Sequence, residues 1–312
     1  MNSYTWDTKT IEQKLNKLEK RTEIDKTSEL DIITLKEMLG KCSEDSYFSF
    51  TPLQNVEMKK MQPFFVKLAS KFYKSYLFKG IEIPSVKFID LNNDDILSLV
   101  HDFYKTRSST FFNCFLNAYN KRDVYLQIKS NTYKNYAVTY HLLSEKESYI
   151  NLGKANTIFD LISLVHEYGH VITFLMNPNF ITNPNFIFIR ELDGLFFEIQ
   201  FLDFLIENNI FKEEAILANL DINAQMSRKA RFIQENDFNL YNMVYFFSYL
   251  ASIELLMNKC RYPEEILEKI IRENPKSLSE GIGVLTPYVT LNESNENFQK
   301  KLKKQLDKNF LH

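Results

Sequence analysis

Cysteine, glycine, proline and histidine are all scarce in this chain, and each shortage closes off a class of protein. Cys42, Cys114 and Cys260 are odd in number, far apart and never in Cys-x-x-Cys spacing. Neither a disulfide framework nor a thiolate metal site follows, so buried free thiols in a reducing compartment are expected. Seven glycines and eight prolines leave few places for tight turns, which favours long helices over a many-turned β protein. An excess of one charge is also missing. Thirty-eight basic against forty acidic residues give a formal charge of -2, so no overall attraction to nucleic acid or an anionic membrane is expected. The opening stretch MNSYTWDTKTIEQKLNKLEK has no apolar segment of the secretory kind. No later run approaches about eighteen uncharged apolar residues. A cytoplasmic protein with no membrane association is expected.

What is present is a globular balance, 45% apolar and 25% charged, in a chain long enough to bury a sizeable core. Ile11, Leu15 and Leu18 recur at helical spacing, and similar patterns run over Ser28–Leu39, Leu53–Phe78 and Asp94–Tyr104. The segment SVKFID reads as a short strand between them. DVYLQIK, NYAVTYHLL and SYINLG then follow as three strand-like runs joined by polar links, which predicts an antiparallel meander with an edge to which an extended peptide could add. After Asn156 the chain turns helical again. Thr157 and Asp160 form a Thr-x-x-Asp capping box, and the cluster NPNFITNPNF ends that helix before another begins near Phe186–Arg190. The expected fold is mainly α with a small antiparallel sheet. A provisional boundary separates an N-terminal helical region, 1–120, from a catalytic region, 121–312, although both could form one continuous domain.

The five histidines are few, which makes the placement of two of them informative. His166-Glu167-Tyr168-Gly169-His170 is a His-Glu-x-x-His motif set among Ile158, Leu161, Ile162, Val165 and Val171. Four residues turn a helix by about 400°, so the two imidazoles leave one face and can share a cation. Glu167 projects from a neighbouring sector, where a carboxylate can act as general base on a metal-activated water. A catalytic zinc site needs a third protein ligand and an open position. Glu191 follows His170 after twenty residues, enough for a reversal and a second helix, and Glu198 lies two turns further on the same face. Glu191 is read as the third ligand and Glu198 as the carboxylate that orients a ligand imidazole, with the two roles exchangeable. Asp193 is a weaker candidate because it points away from the Glu191 face. Tyr241, Tyr245 and Tyr249 recur every four residues, which by spacing alone is an aromatic packing stripe.

The stretch SYINLGKANTIFDLISLVHEYGH followed by ELDGLFFE resembles the active-site core of the M3 metallopeptidases, especially the oligoendopeptidase F branch. The resemblance covers about Ser148–Ser252, a third of the chain. It implies a zincin-like peptidase with helical lobes around a cleft, one zinc ion held by His166, His170 and Glu191, and Glu167 as catalytic base. It also implies that Tyr245 or Tyr249, in YNMVYFFSYLAS, donates a hydrogen bond to the reaction's oxyanion or holds the substrate. Relatives are about twice as long, carry another histidine where Thr173 stands, and have a glycine-rich segment matched only by SEGIGVL. The expected function is therefore zinc-dependent hydrolysis of a peptide by a compact, divergent member. The alternative is an inactive zinc-holding homologue that binds a peptide or protein.

Overall fold

The computed structural model describes residues 8–21, 23–41, 52–120, 124–130, 137–235, 239–257, 262–289 and 293–310. Cys42, Cys260, His312, Asp123 and most of the SNTYK link lie outside them. Five helices come first: α1 (Thr8–Glu19), α2 (Lys26–Met38), α3 (Pro52–Ser75), α4 (Asn93–Lys105) and α5 (Ser109–Asn120). Three strands follow, β1 (Val124–Ser130), β2 (Ala137–Leu142) and β3 (Glu147–Lys154). The remainder is helical: α6 (Ile158–Met176), the short α7 (Asn179–Thr182), α8 (Leu192–Glu207), α9 (Lys212–Gln234), α10 (Leu240–Met257), α11 (Pro263–Arg272), α12 (Leu278–Leu285) and α13 (Glu293–Phe310). The expected helical stretches are present with small shifts at their ends. In α1, Ile11, Leu15 and Leu18 are the buried residues. Asp25 and Asn92 cap α2 and α4 through side-chain bonds from the amides of Ser28 and Asp95.

Two expectations for the β residues are corrected. The sheet is mixed and ordered β1-β3-β2, with β1 parallel and β2 antiparallel to β3. Strand β3 is the most deeply buried of the three, with Tyr149, Ile150 and Leu152 almost fully covered, so it takes the centre. β2 forms part of the connection that parallel pairing of β1 and β3 requires. SVKFID is not a strand: only Phe88 forms a bridge, to Thr157, and this residue is 71% exposed, with no strand paired to it among the described residues.

Alternation along the strands sends neighbouring side chains to opposite faces. Tyr149 and Leu142 meet Ile11, Leu15, Leu18 and Leu35 of α1 and α2 in a small core. Ile150 and Leu152 join the main core, which draws on residues from Met58 to Leu306. In β2 the same alternation turns Thr139 and His141 toward α6, where they meet Glu167 and Phe174. The α1–α2 pair is held to the sheet by Asp31, whose buried carboxylate accepts from the amides of Leu143 (2.6 Å) and Ser144 (2.9 Å).

Helix α6 enters through Asp160, which accepts from the amides of Ala155, Asn156 and Thr157 and fixes where the helix starts. Tyr104 braces it from α4, donating to the Val165 carbonyl at 2.8 Å while stacking on Phe115. Helices α6 and α10 are long and apolar enough to cross a membrane, but 78% and 67% of the relevant windows are buried inside the fold.

Replacing Asp31 by Ala removes two hydrogen bonds from backbone amides to a buried carboxylate and is expected to destabilise the fold by about 1–3 kcal/mol. Urea unfolding followed by circular dichroism reads this out, and an unchanged midpoint contradicts the role given to Asp31.

Candidate metal centre

Helices α6 and α8 pack against each other at close range, and two glycines permit it. A methyl group on Gly169 would press within 3.3 Å of Phe197 and 3.4 Å of the Asp193 backbone. One on Gly194 would lie 2.4 to 2.6 Å from three atoms of the His166 ring, so only glycine fits there. Helix α8 begins later than expected, at Leu192, because residues Ile187–Glu191 form turns. Glu191 is its N-cap, with its carbonyl accepting from the Leu195 amide. The approach to Glu191 is pinned from α10 by Ser248, which donates to the Phe188 carbonyl at 3.0 Å.

This crossing gathers His166, His170 and Glu191, with one donor atom from each within 4.8 Å of the others. His166 Nε2 lies 3.1 Å and His170 Nε2 3.8 Å from the same oxygen, Glu191 Oε2. Each imidazole is backed by a carboxylate on its other nitrogen: His166 Nδ1 by Glu198 at 2.7 Å and His170 Nδ1 by Asp193 at 3.1 Å. A carboxylate behind Nδ1 fixes the tautomer that leaves Nε2 as a donor to a cation. The two imidazole nitrogens and one carboxylate oxygen are a donor set that fits a divalent metal ion. Asp193 is not among the three grouped ligands, in keeping with its weaker standing as a ligand, and its carboxylate instead backs His170. It is fully buried beneath His170, on the face that the Gly169 contact brings toward α6.

Glu167 stands beside the cluster, and its carboxylate accepts from Thr139 Oγ1 at 2.6 Å. Burial raises its pKa and the neighbouring His166 and His170 partly offset that rise. The His170 imidazole is pushed down by burial and, more strongly, up by the Asp193 carboxylate, reaching about 9 in the metal-free chain. His166 is driven well above the usual histidine range because Glu198 and Glu191 outweigh its burial. Glu191 sits well below the usual carboxyl range, its burial overcome by the hydrogen bond with His166 and the charge on His170. His141 is buried on β2, and its pKa falls to about 3 through that burial and the charge of His170, so it stays neutral.

The three tyrosines of α10 separate. Tyr245 is largely buried and its hydroxyl faces Glu191; burial and that carboxylate push it well above the usual tyrosine range, so it remains a proton donor. Tyr241 is half exposed beside it, with ring centroids 4.4 Å apart. Tyr249 is not at the cluster surface: it is fully buried against Phe72 and Phe298 and accepts from Asn223 Nδ2 at 2.7 Å. Lys229 of α9, which no sequence pattern marks, holds its ammonium 4.2 Å from the Tyr241 ring and 5.2 Å from the Tyr245 ring. The half-buried Cys114 is a free thiol away from the cluster.

No family model and no curated protein sequence matches the chain. Two crystal structures share its fold. One, assigned as an oligoendopeptidase F from Bacillus anthracis str. Ames, matches with a TM-score of 0.52 at 12% identity over 89% of this chain and 62% of that chain. The other, a 3.1 Å structure with the same assignment, matches with a TM-score of 0.52 at 11% identity over 96% of this chain and 66% of that chain. At these identities the likeness is one of fold, and the chain spans slightly less than two thirds of either neighbour.

Gly194→Ala forces the His166 ring away from its place and is expected to weaken metal binding by about 10–100-fold, the usual cost of disturbing a ligand's support. Competition with a chromogenic chelator measures this, and wild-type affinity in the variant contradicts the packing argument. A second expectation concerns protons. Raised imidazole pKa values stabilise the metal-free fold below the unfolded value of about 6.5. For His170 that stabilisation is lost as pH rises through its folded value of about 9. Metal ligation needs neutral imidazole, so binding at pH 7 should release protons, and affinity should climb by about tenfold or more per pH unit between pH 7 and 9. Titration calorimetry in buffers of different ionisation enthalpy checks it, and pH-independent affinity contradicts a protonated pair.

Proposed function

We propose that the chain is a zinc-dependent peptidase that hydrolyses oligopeptides or one specific peptide. The carrying observation is the convergence of His166 Nε2 and His170 Nε2 on Glu191, with a carboxylate behind each imidazole and a third carboxylate, Glu167, held alongside by Thr139. In this reading His166, His170 and Glu191 hold zinc, while Glu198 and Asp193 orient the imidazoles. Zinc supplies Lewis acidity that brings the pKa of a bound water toward about 7 and polarises a carbonyl. Glu167 takes the proton of the attacking water and returns it to the departing amine. The Thr139 bond points the carboxylate, and burial raises its pKa toward the range in which it both accepts and gives up a proton. Tyr245, protonated and facing Glu191 and Glu167, donates a hydrogen bond to the developing oxyanion. Strand β2 pairs with β3 on one side, so an extended peptide added to its other edge would pass Glu167 through Thr139. The helical body then forms the walls of a zincin-like cleft.

The likeness in fold to two oligoendopeptidase structures supports this reading. A zinc-holding module that only binds peptides is the alternative, and a buried glutamate positioned beside the ligands without being one of them favours hydrolysis over it.

Glu167→Gln keeps the shape and the hydrogen-bond acceptor but loses the base. It is expected to retain zinc near one equivalent while peptide cleavage falls by about 10²–10⁴-fold. Metal analysis and cleavage of a fluorogenic peptide mixture are the measurements. Equal turnover by both proteins contradicts the base, and a zinc-loaded wild type that cleaves no peptide in the mixture favours the binding module.

A further inference from the structure

Two half-buried ammonium groups elsewhere in this fold have carboxylate partners, and a third, Lys154, is held by the Leu91 carbonyl. Lys14 is held by Glu145 and Glu147, and Lys301 by both oxygens of Asp203 at 2.6 and 2.7 Å. Lys229 differs. Among the described residues no carboxylate lies within ion-pairing distance of its ammonium, whose polar contact is Asn242 Oδ1 at 3.3 Å. Its charge rests on the faces of Tyr241 and Tyr245, at 4.2 and 5.2 Å from their centroids. Taking a cation partly out of water without an anion is unfavourable, and burial accordingly pushes this amine down to about 8. The nearest ligand carboxylate, Glu191, acts on it only through space and is already engaged by His166.

The place matters as much as the charge. Tyr245 neighbours both: its ring lies 5.2 Å from the Lys229 ammonium and its hydroxyl meets the Glu191 carboxylate, with the charge of Glu167 acting on it through space. Tyr241, whose ring lies 4.2 Å from the ammonium, is 50% exposed, so the surroundings of the ammonium reach solvent. The ammonium therefore borders the candidate metal centre at a point that a ligand can reach, with its electrostatic demand unmet.

Resting on the peptidase reading, we propose that Lys229 is a specificity-determining residue that pairs with a carboxylate of the peptide substrate, either its C-terminal carboxylate or an acidic side chain. The two tyrosine rings hold the ammonium in place, and the incoming carboxylate completes an ion pair in a partly desolvated setting, where such a bond is strong. The selected peptides carry a negative charge close to the bond that is cut.

The test is binding to the zinc-loaded Glu167→Gln full-length chain, measured by titration calorimetry. Three probes are used: N-acetyl-trialanine as free acid, the same peptide as its amide, and N-acetyl-Ala-Glu-Ala amide. The expected result is that one carboxylate-bearing probe binds about tenfold or more tightly than the neutral amide. Which one does so identifies the source of the carboxylate. Adding Lys229→Met, which keeps an apolar stem over the tyrosines, should remove the advantage, and Lys229→Arg should keep most of it. Equal binding of all three probes overturns the proposal. So does an advantage that survives in Lys229→Met, since the carboxylate would then be bound by the metal or another group. Cleavage of the same probes by the wild type is measured separately. Its absence, beside an intact Lys229-dependent preference, counts against the peptidase reading and not against the carboxylate site.

Discussion

The centre of this molecule depends on how closely two apolar helices can approach. At Gly169 the neighbouring helix comes to van der Waals contact, and at Gly194 the His166 ring lies where any side chain would stand. That proximity puts Glu191 in front of both imidazoles and Glu198 and Asp193 behind them. Helix α6 is braced from outside by Tyr104 and the approach to Glu191 by Ser248, so the crossing is over-determined by buried hydrogen bonds. Rigid helices with locked rotamers are what a preorganised site requires.

Charge explains why such an arrangement suits a cation. Glu167, Glu191, Asp193 and Glu198 outnumber the two imidazoles they surround, and the cluster is largely covered. In the metal-free chain the imbalance is met by protons on the histidines and by the upward push on Glu167. A divalent cation would take the place of the imidazole protons at the point where Nε2 of both rings and Glu191 converge. The Lys229 ammonium, resting on the Tyr241 and Tyr245 rings, adds a second demand, for an anion.

Much of this was legible in the sequence where the relevant geometry is local. The His166–His170 pair follows from helical pitch, and Glu198 follows from its two-turn spacing to Glu191. What depended on tertiary contact was not legible. Thr139 reaches Glu167 only because β2 lies at the sheet edge beside α6, a consequence of β3 taking the centre in place of a sequential meander. Asp193 stands outside the ligand group as its angle implied, but its place behind His170 depends on the close helix contact, which no local pattern shows. Helix α10 is apolar on nearly all sides, so its pattern gives no facing direction, and Tyr249 lies one turn, about 6 Å, beyond Tyr245 in the core. Lys229 carries no motif at all; only its position over two rings marks it.

The most direct test of the central claim is zinc K-edge X-ray absorption on the purified, metal-loaded chain. The account predicts one zinc per chain, with two imidazole nitrogens at about 2.0–2.1 Å, the remaining ligands oxygen, and no sulfur. Sulfur in the coordination shell, a single imidazole, or failure to hold a stoichiometric ion would contradict it.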